Sequence, residues 1–300
     1  MAISRNQLVK ELEPGLNALF GLEYKQYENQ TAEIYTTESS DRAFEEEVML
    51  SGFAQARVKP EGSGVAFDNA QETFTARYTN ETIALAFAIT EEAIEDNLYD
   101  RLASRYTKAL ARSMASTKQV KGAAPLNNGF GTFQSGDGVA LFSTAHPTIA
   151  GTFSNTLATA ADLNETSLEQ ALIDIAALTD ERGLKIAAKG VKMIIPSALQ
   201  FVAERLMKSQ GRVSTADNDI NAIRSMGMIP QGYRVNNYLT DTDAFFITTD
   251  VPNGMKHFNR APLTTKMEGD FDTGNVRYKA RERYVFGVSD PRGIFASPGA

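Results

Sequence analysis

The chain has 300 residues, 42% of them hydrophobic and 22% charged, so it can bury a sizeable core and is not a disordered polymer. Its net charge of -7 argues against nucleic-acid binding through the bulk surface, which needs clustered Lys and Arg. The absence of cysteine removes disulfides, thiolate nucleophiles and cysteine metal sites, and no apolar run approaches the length of a membrane span.

Residues 1–30 predict a short helix followed by an arm. Leu8, Leu12, Leu16 and Leu19 share a face, and Pro14 with Gly15 is expected to break the run. Residues 31–47 read as an extended connection carrying the acidic triplet Glu45, Glu46 and Glu47. From 48 to 89 the pattern is β. Val48, Leu50 and Phe53 precede the turn cluster Pro60–Gly64. Phe74, Ala76 and Tyr78 then alternate with polar residues, and a third run places Ile83, Leu85, Phe87 and Ile89 on one face. The expectation is a long hairpin with little apolar mass of its own, which must lie on something else.

A helix of about 31 residues is predicted from Thr90, with Ile94, Leu98, Leu102, Tyr106, Leu110 and Met114 recurring every four residues and Gly122 as its stop. Ile94, Leu98 and Leu102 are expected to face a sheet that includes Tyr284 and Phe286. Residues 122–165 read as irregular. An α/β pattern follows: a helix from a Thr166/Glu169 capping box to Gly183, a strand at Val191–Ile195, a helix at Ser197–Lys208, a polar loop at Ser209–Asn218 and a short helix at Asp219–Met226. Strands are expected at Tyr233–Tyr238 and Ala244–Thr249. A long final strand sets Val276, Tyr278, Ala280, Tyr284, Phe286 and Val288 on one face and Arg277, Lys279, Arg281 and Arg283 on the other. That basic strip has three readings: it faces DNA, it pairs with acids of a neighbour such as Glu45–Glu47, or it is a solvated strand face.

Enzymatic signatures are missing. There is no phosphate-binding G-x-x-x-x-G-K-[ST], no H-E-x-x-H and no G-x-S-x-G. Gly129–Gly136 has the wrong spacing for a dinucleotide loop and reads as a flexible loop. His146, beside Ser143 and Thr144, is read as a structural histidine before Pro147 rather than part of a nucleophilic set, and His257 likewise. Asp270–Gly274 carries Arg281 where a calcium loop needs a bidentate Glu, so it reads as a turn, and Asp241 with Asp243 as loop surface. No catalytic, cofactor or metal residue is assigned.

The order of parts (arm, long hairpin, one very long helix, loop-rich section, α/β unit, long final strand) resembles the Hong Kong 97-type capsid fold of tailed phages. The wording of Leu141–Thr148 (LFSTAHPT), Ser167–Ile186 (SLEQALIDIAALTDERGLKI), Thr215–Tyr233 (TADNDINAIRSMGMIPQGY) and Asn275–Phe295 (NVRYKARERYVFGVSDPRGIF) resembles the Mu-like major head subunits within it. The resemblance implies an α+β fold with an N-terminal arm (1–45), an E-loop hairpin (46–89), a P domain with its spine helix (90–165), an A domain (166–260) and C-terminal strands returning to the P domain (261–300). It implies a major capsid protein that assembles into hexamers and pentamers of an icosahedral shell around double-stranded DNA. The partners implied are a separate scaffolding protein, a portal and a decoration protein, with DNA touched only weakly and non-specifically and no membrane. Assembly in the host bacterial cytoplasm is implied, and the virion as the final location. Lys59, Pro60, Glu61 and Gly62 would form the inter-subunit tip of the hairpin, with Lys59 a candidate for crosslinking. Gln210, Gly211, Arg212 and Asp217 would form the capsomer-centre loop. An encapsulin-type compartment shell is the alternative, and a cytosolic α/β enzyme the third reading.

Overall fold

The computed structural model describes residues 5–90, 92, 99–212, 219–270 and 274–300. Helix α1 spans Arg5–Gln26 and runs on through Pro14. The predicted break there is not seen. Leu16 and Phe20 are buried among Leu110, Met114 and Tyr278, and that packing outweighs the weak local propensity. A 3-10 turn at Gln30–Glu33 leads to β1 (Thr36–Ser39) and β2 (Phe44–Leu50). Strand β3 (Glu72–Thr79) pairs antiparallel with β2, and residues 51–71 between them carry no strand. The hairpin's regular arms are therefore shorter than predicted.

Strand β4 (Glu81–Ile89) is not a further arm of that hairpin. It pairs antiparallel with β11 (Val276–Val288). Helix α2 spans Tyr99–Asn127, about 44 Å. It does not stop at Gly122. A side chain at 122 would overlap Thr31, so this glycine lets the 3-10 turn lie against the helix. The Tyr35 hydroxyl then donates to the Gly122 carbonyl at 2.7 Å. Ile94 and Leu98 lie outside the described residues, as does the side chain of Leu102. The expected contacts of these three therefore fall outside the described residues; Tyr284 and Phe286 pack with Tyr35 and Leu126.

After α2 come the small β5 (His146–Thr148) and β6 (Gly151–Phe153) pair and helix α3 (Glu165–Ala177). The capping box of α3 is Asn164 with Ser167, two residues ahead of the predicted one. The helix ends at Ala177 rather than Gly183, whose φ of 82° serves the Asp180–Leu184 turn. Then follow β7 (Gly190–Ile195), α4 (Gln200–Lys208), α5 (Ala222–Met226), β8 (Tyr233–Val235), β9 (Phe245–Thr249), β10 (Met255–Gly269), β11 and β12 (Ile294–Ser297).

Two four-stranded sheets organise the molecule. The first has the order β1-β10-β11-β4, with α1 and α2 packed on its apolar face. The second has the order β12-β9-β7-β8. Its alternating residues split between two cores. Met193, Ile195, Phe245, Ile247 and Phe295 pack with α3, α4 and α5. Ile194, Phe246, Ile294 and Ala296 pack with Leu126, Phe142 and Phe286 on the other side. The C-terminal strands therefore do not all return to one sheet: β10 and β11 lie in the first, and β12 closes the edge of the second beside β9.

Candidate functional site

The hairpin has a buried root and an open tip. In the β2–β3 register Glu45 faces Tyr78 and Glu47 faces Ala76, so these four share one side. That side is clamped. Tyr78 is buried with its ring 4.8 Å from Phe258, and Gly287 leaves room for it where any side chain would overlap the ring. Glu47 accepts from Lys256 and from the Ser289 hydroxyl, which also meets Tyr78. Lys256 also reaches Glu38 at 3.0 Å. Burial alone would lower Lys256, but the hydrogen bonds of Glu47 and Glu38 outweigh it and hold it above its ordinary value.

The opposite side of the hairpin is open. Phe44 and Val48 are exposed there, with the Arg77 guanidinium 4.0 Å above the Phe44 ring. Beyond them Phe53, Val58, Val65 and Phe67 are exposed too, Val58 and Phe67 by 94% and 97%. Lys59, Pro60, Glu61 and Gly62 sit together in the outermost turn, closed by the Ser63 amide on the Pro60 carbonyl at 3.2 Å. Gly62 supplies the φ of 79°. At the hairpin's base Arg182 donates to the Asn69 carbonyl at 2.6 Å.

The polar loop after α4 is closed at its neck. Gly211 bridges Ile220, the Asn221 amide donates to Gln210, and Arg212 binds Glu165 at 2.8 Å. Asp217 lies outside the described residues. Phe201, Ile220 and Met226 are exposed on the elements that flank this neck.

The basic strip is real. Arg277, Lys279 and Arg281 are exposed on β11, opposite the small Ala88, Ala86 and Ala84 of β4. The acidic triplet is largely engaged inside its own chain: Glu45 takes the Ser40 hydroxyl, Glu46 meets Arg77 at 3.8 Å and Glu47 binds Lys256. The Asp270 amide donates to the Asn275 carbonyl at 2.8 Å, and Asp270 pairs with Arg277. Residues 271–273 lie outside the described residues.

Among the described residues His146 meets no serine or threonine hydroxyl. His146 is fully buried, with Nδ1 2.6 Å from Asp137 and Nε2 3.1 Å from the Asn155 side-chain oxygen. The Ser143 hydroxyl accepts from the Ala145 amide instead. Burial works against the charge of Asp137, but hydrogen bonds from His146, Ser135 and the Val139 amide hold it below the usual carboxylate range. The His146 ring stacks on Phe153 at 4.9 Å, and Arg292 lies 4.1 Å above the Phe153 ring. Arg292 is itself buried between Glu181 at 2.7 Å and Asp290 at 3.3 Å, and donates to the Thr179 carbonyl. No group of three or more metal-ligating side chains gathers among the described residues. Sequence reading missed the Arg292 network and the Lys256 clamp. Their one visible sign was charge inside strand-like runs, as in Asp290–Arg292 ahead of Ile294–Ser297.

His257 carries a pH prediction. It is buried against Phe286 at 4.4 Å, with Thr37 3.2 Å from Nδ1 and no partner on Nε2 among the described residues. Burial, with the nearby Lys118 charge, pushes it down to about 4. Its folded value lies below the unfolded one, so its stability contribution is complete above about pH 6.5 and is lost as pH falls through 4. Stability should drop by up to about 3 kcal/mol across that window. His257→Gln should flatten the part between pH 6.5 and 5 in a series of thermal melts; an unchanged slope would refute the assignment.

These features, a clamped hairpin with an apolar outer side on a two-sheet body with one long helix, define a shell-forming subunit of the Hong Kong 97-like capsid fold. A family model described as phage capsid protein matches residues 73–297, and the chain belongs to that family. The virus-like particle of Pyrococcus furiosus is similar in structure, at 10% identity and a TM-score of 0.55 over 95% of this chain and 98% of the other. The capsid of Myoviridae phage XM1 is similar at 12% identity and TM-score 0.55, over 89% of each chain. The procapsid of bacteriophage JBD30 is similar at 15% identity and TM-score 0.55, over 98% of this chain and 76% of that one. Among curated proteins, none matches the chain. The likeness to phage capsids is general and does not single out the Mu-like group.

Proposed function

We propose that this chain is the major head subunit that self-assembles, as hexamers and pentamers, into the icosahedral shell around the double-stranded DNA of a tailed bacteriophage. The observation that carries the reading is the hairpin: a root fixed by buried groups, and a tip that leaves Phe53, Val58, Val65 and Phe67 in water. A monomer gains nothing from such exposure, whereas a neighbouring subunit can cover it. In this reading Lys59–Gly62 touch the next subunit, and Gln210, Gly211, Arg212 and Asp217 serve the capsomer centre. The role is structural rather than catalytic. A separate scaffolding protein, a portal and a decoration protein complete the partners, and assembly takes place in the bacterial cytoplasm. DNA is met only weakly, because the chain's net charge is -7.

The likeness to the Pyrococcus particle supports a second reading, a compartment shell of the encapsulin type. Size-exclusion chromatography and electron microscopy of the purified protein test both. Closed shells are expected, and a small oligomer at every salt and concentration would overturn both. Particles from the native source should contain DNA; protein-filled cages would favour the second reading.

A further inference from the structure

A cavity of about 340 Å³ lies where the hairpin root meets the second sheet. Asp180, Glu181, Asp250 and Asp290 line it, against the single guanidinium of Arg292. Met49, Leu50 and Val251 add apolar wall. The charges do not balance. Glu181 is 3% exposed; its Oε1 takes Arg292, while its Oε2 is buried with no hydrogen-bond partner among the described residues. Among the described residues Asp180 and Asp250 accept only backbone amides, from Arg182, Leu184 and Lys189. Burial pushes Asp290 up, with Arg292 opposing. A buried carboxylate oxygen without a partner is costly, and a cation entering the cavity would remove that cost.

We propose that this cavity receives the Lys59 side chain from the hairpin tip of a second copy of the chain. The inference rests on the shell reading above, in which the tip lies on a neighbour. The shapes of the charges match. Lys59 has an aliphatic stem for the apolar wall and an ammonium group for the acidic floor. It is exposed and forms no ion pair among the described residues, whereas Arg57, two residues away, feels Asp68 of its own chain. The cavity is lined by the root of the hairpin that carries its own Lys59 at the far end, so the contact is head-to-tail. Such a contact propagates around a ring without a two-fold axis.

The test is a double-mutant cycle on the full chain, reading the critical concentration for assembly by light scattering. Glu181→Gln and Lys59→Met should each raise it about tenfold, and the double variant should be no worse than either single one. Additive effects, or wild-type assembly by Lys59→Met, would overturn the inference and leave the shell reading intact. Failure of the wild-type chain to assemble would remove the shell reading itself. Asp250→Asn, at an exposed wall position, repeats the cycle should Glu181→Gln melt early as an unassembled subunit. A chelator that raises the wild-type critical concentration as much as Glu181→Gln would put a metal ion in the cavity and overturn the proposal.

Discussion

Arg292→Met should destabilise the unassembled subunit by about 3–5 kcal/mol, because it leaves Glu181 and Asp290 as buried carboxylates without their cation. Arg292 and Glu181 are each 3% exposed, so solvent cannot take over the role. The loss is wider than one ion pair. The guanidinium also donates to Thr179 and covers Phe153, whose ring stacks on His146. Arg292→Lys keeps the charge but not the fork that serves three acceptors at once, and should recover only part of the loss. Thermal melting is the measurement: a fall of roughly 10 °C or more is expected for the methionine variant. A midpoint within 2–3 °C of wild type, by the same scale, would mean that the network is relaxed by water.

Replacing Arg57–Asp68 with a short Gly-Ser linker should abolish closed shells while leaving the subunit folded. The segment removed is exposed throughout and carries no strand, whereas Ala76, Tyr78 and Glu47, which hold the hairpin root, remain. Weak contacts repeated around a ring act together, so loss of one per subunit is multiplied in the assembly. Melting of the variant under non-assembling conditions should match wild type, and electron microscopy under assembling conditions should show no particles. Intact shells of ordinary stability would show that the tip is dispensable. A collapsed melting transition would show that it belongs to the core.

The order of elements was legible because each long element carries its own period. The β11 strand reads directly from Tyr278, Tyr284 and Phe286 alternating with Arg277, Lys279 and Arg281. Yet the same strand hides Glu282, which sits on the buried face and reaches Lys118 on α2 at 3.3 Å. Burial raises its pKa, with Lys118 opposing, and no periodicity argument finds a partner 164 positions away. Gly122 misled for a related reason. A glycine that ends a helix and a glycine that admits Thr31 look alike until the neighbour is in place. Strand pairing was also out of reach: β4 is as apolar as a hairpin arm, and only its partner β11 says otherwise. Of the proposed contact residues, the hairpin tip was visible through its turn chemistry. The acid-lined cavity was not, because its walls come from four separate stretches of chain.

The passage of the backbone between the two sheets has a mechanical meaning. The chain crosses from β9 to β10 at Val251–Gly254 and back from β11 to β12 at Ser289–Gly293. The two crossings run side by side: the Ser289 and Asp290 amides donate to Gly254 and Asn253 at 3.0 and 2.8 Å, and Gly254 lies against Gly293 so closely that neither tolerates a side chain. Two covalent strands laced together make a weld rather than a pivot. Load arriving at one sheet, such as outward pressure on a filled shell, passes to the other through main-chain bonds instead of side-chain friction. Any change of shape the subunit undergoes must then be taken up outside this junction.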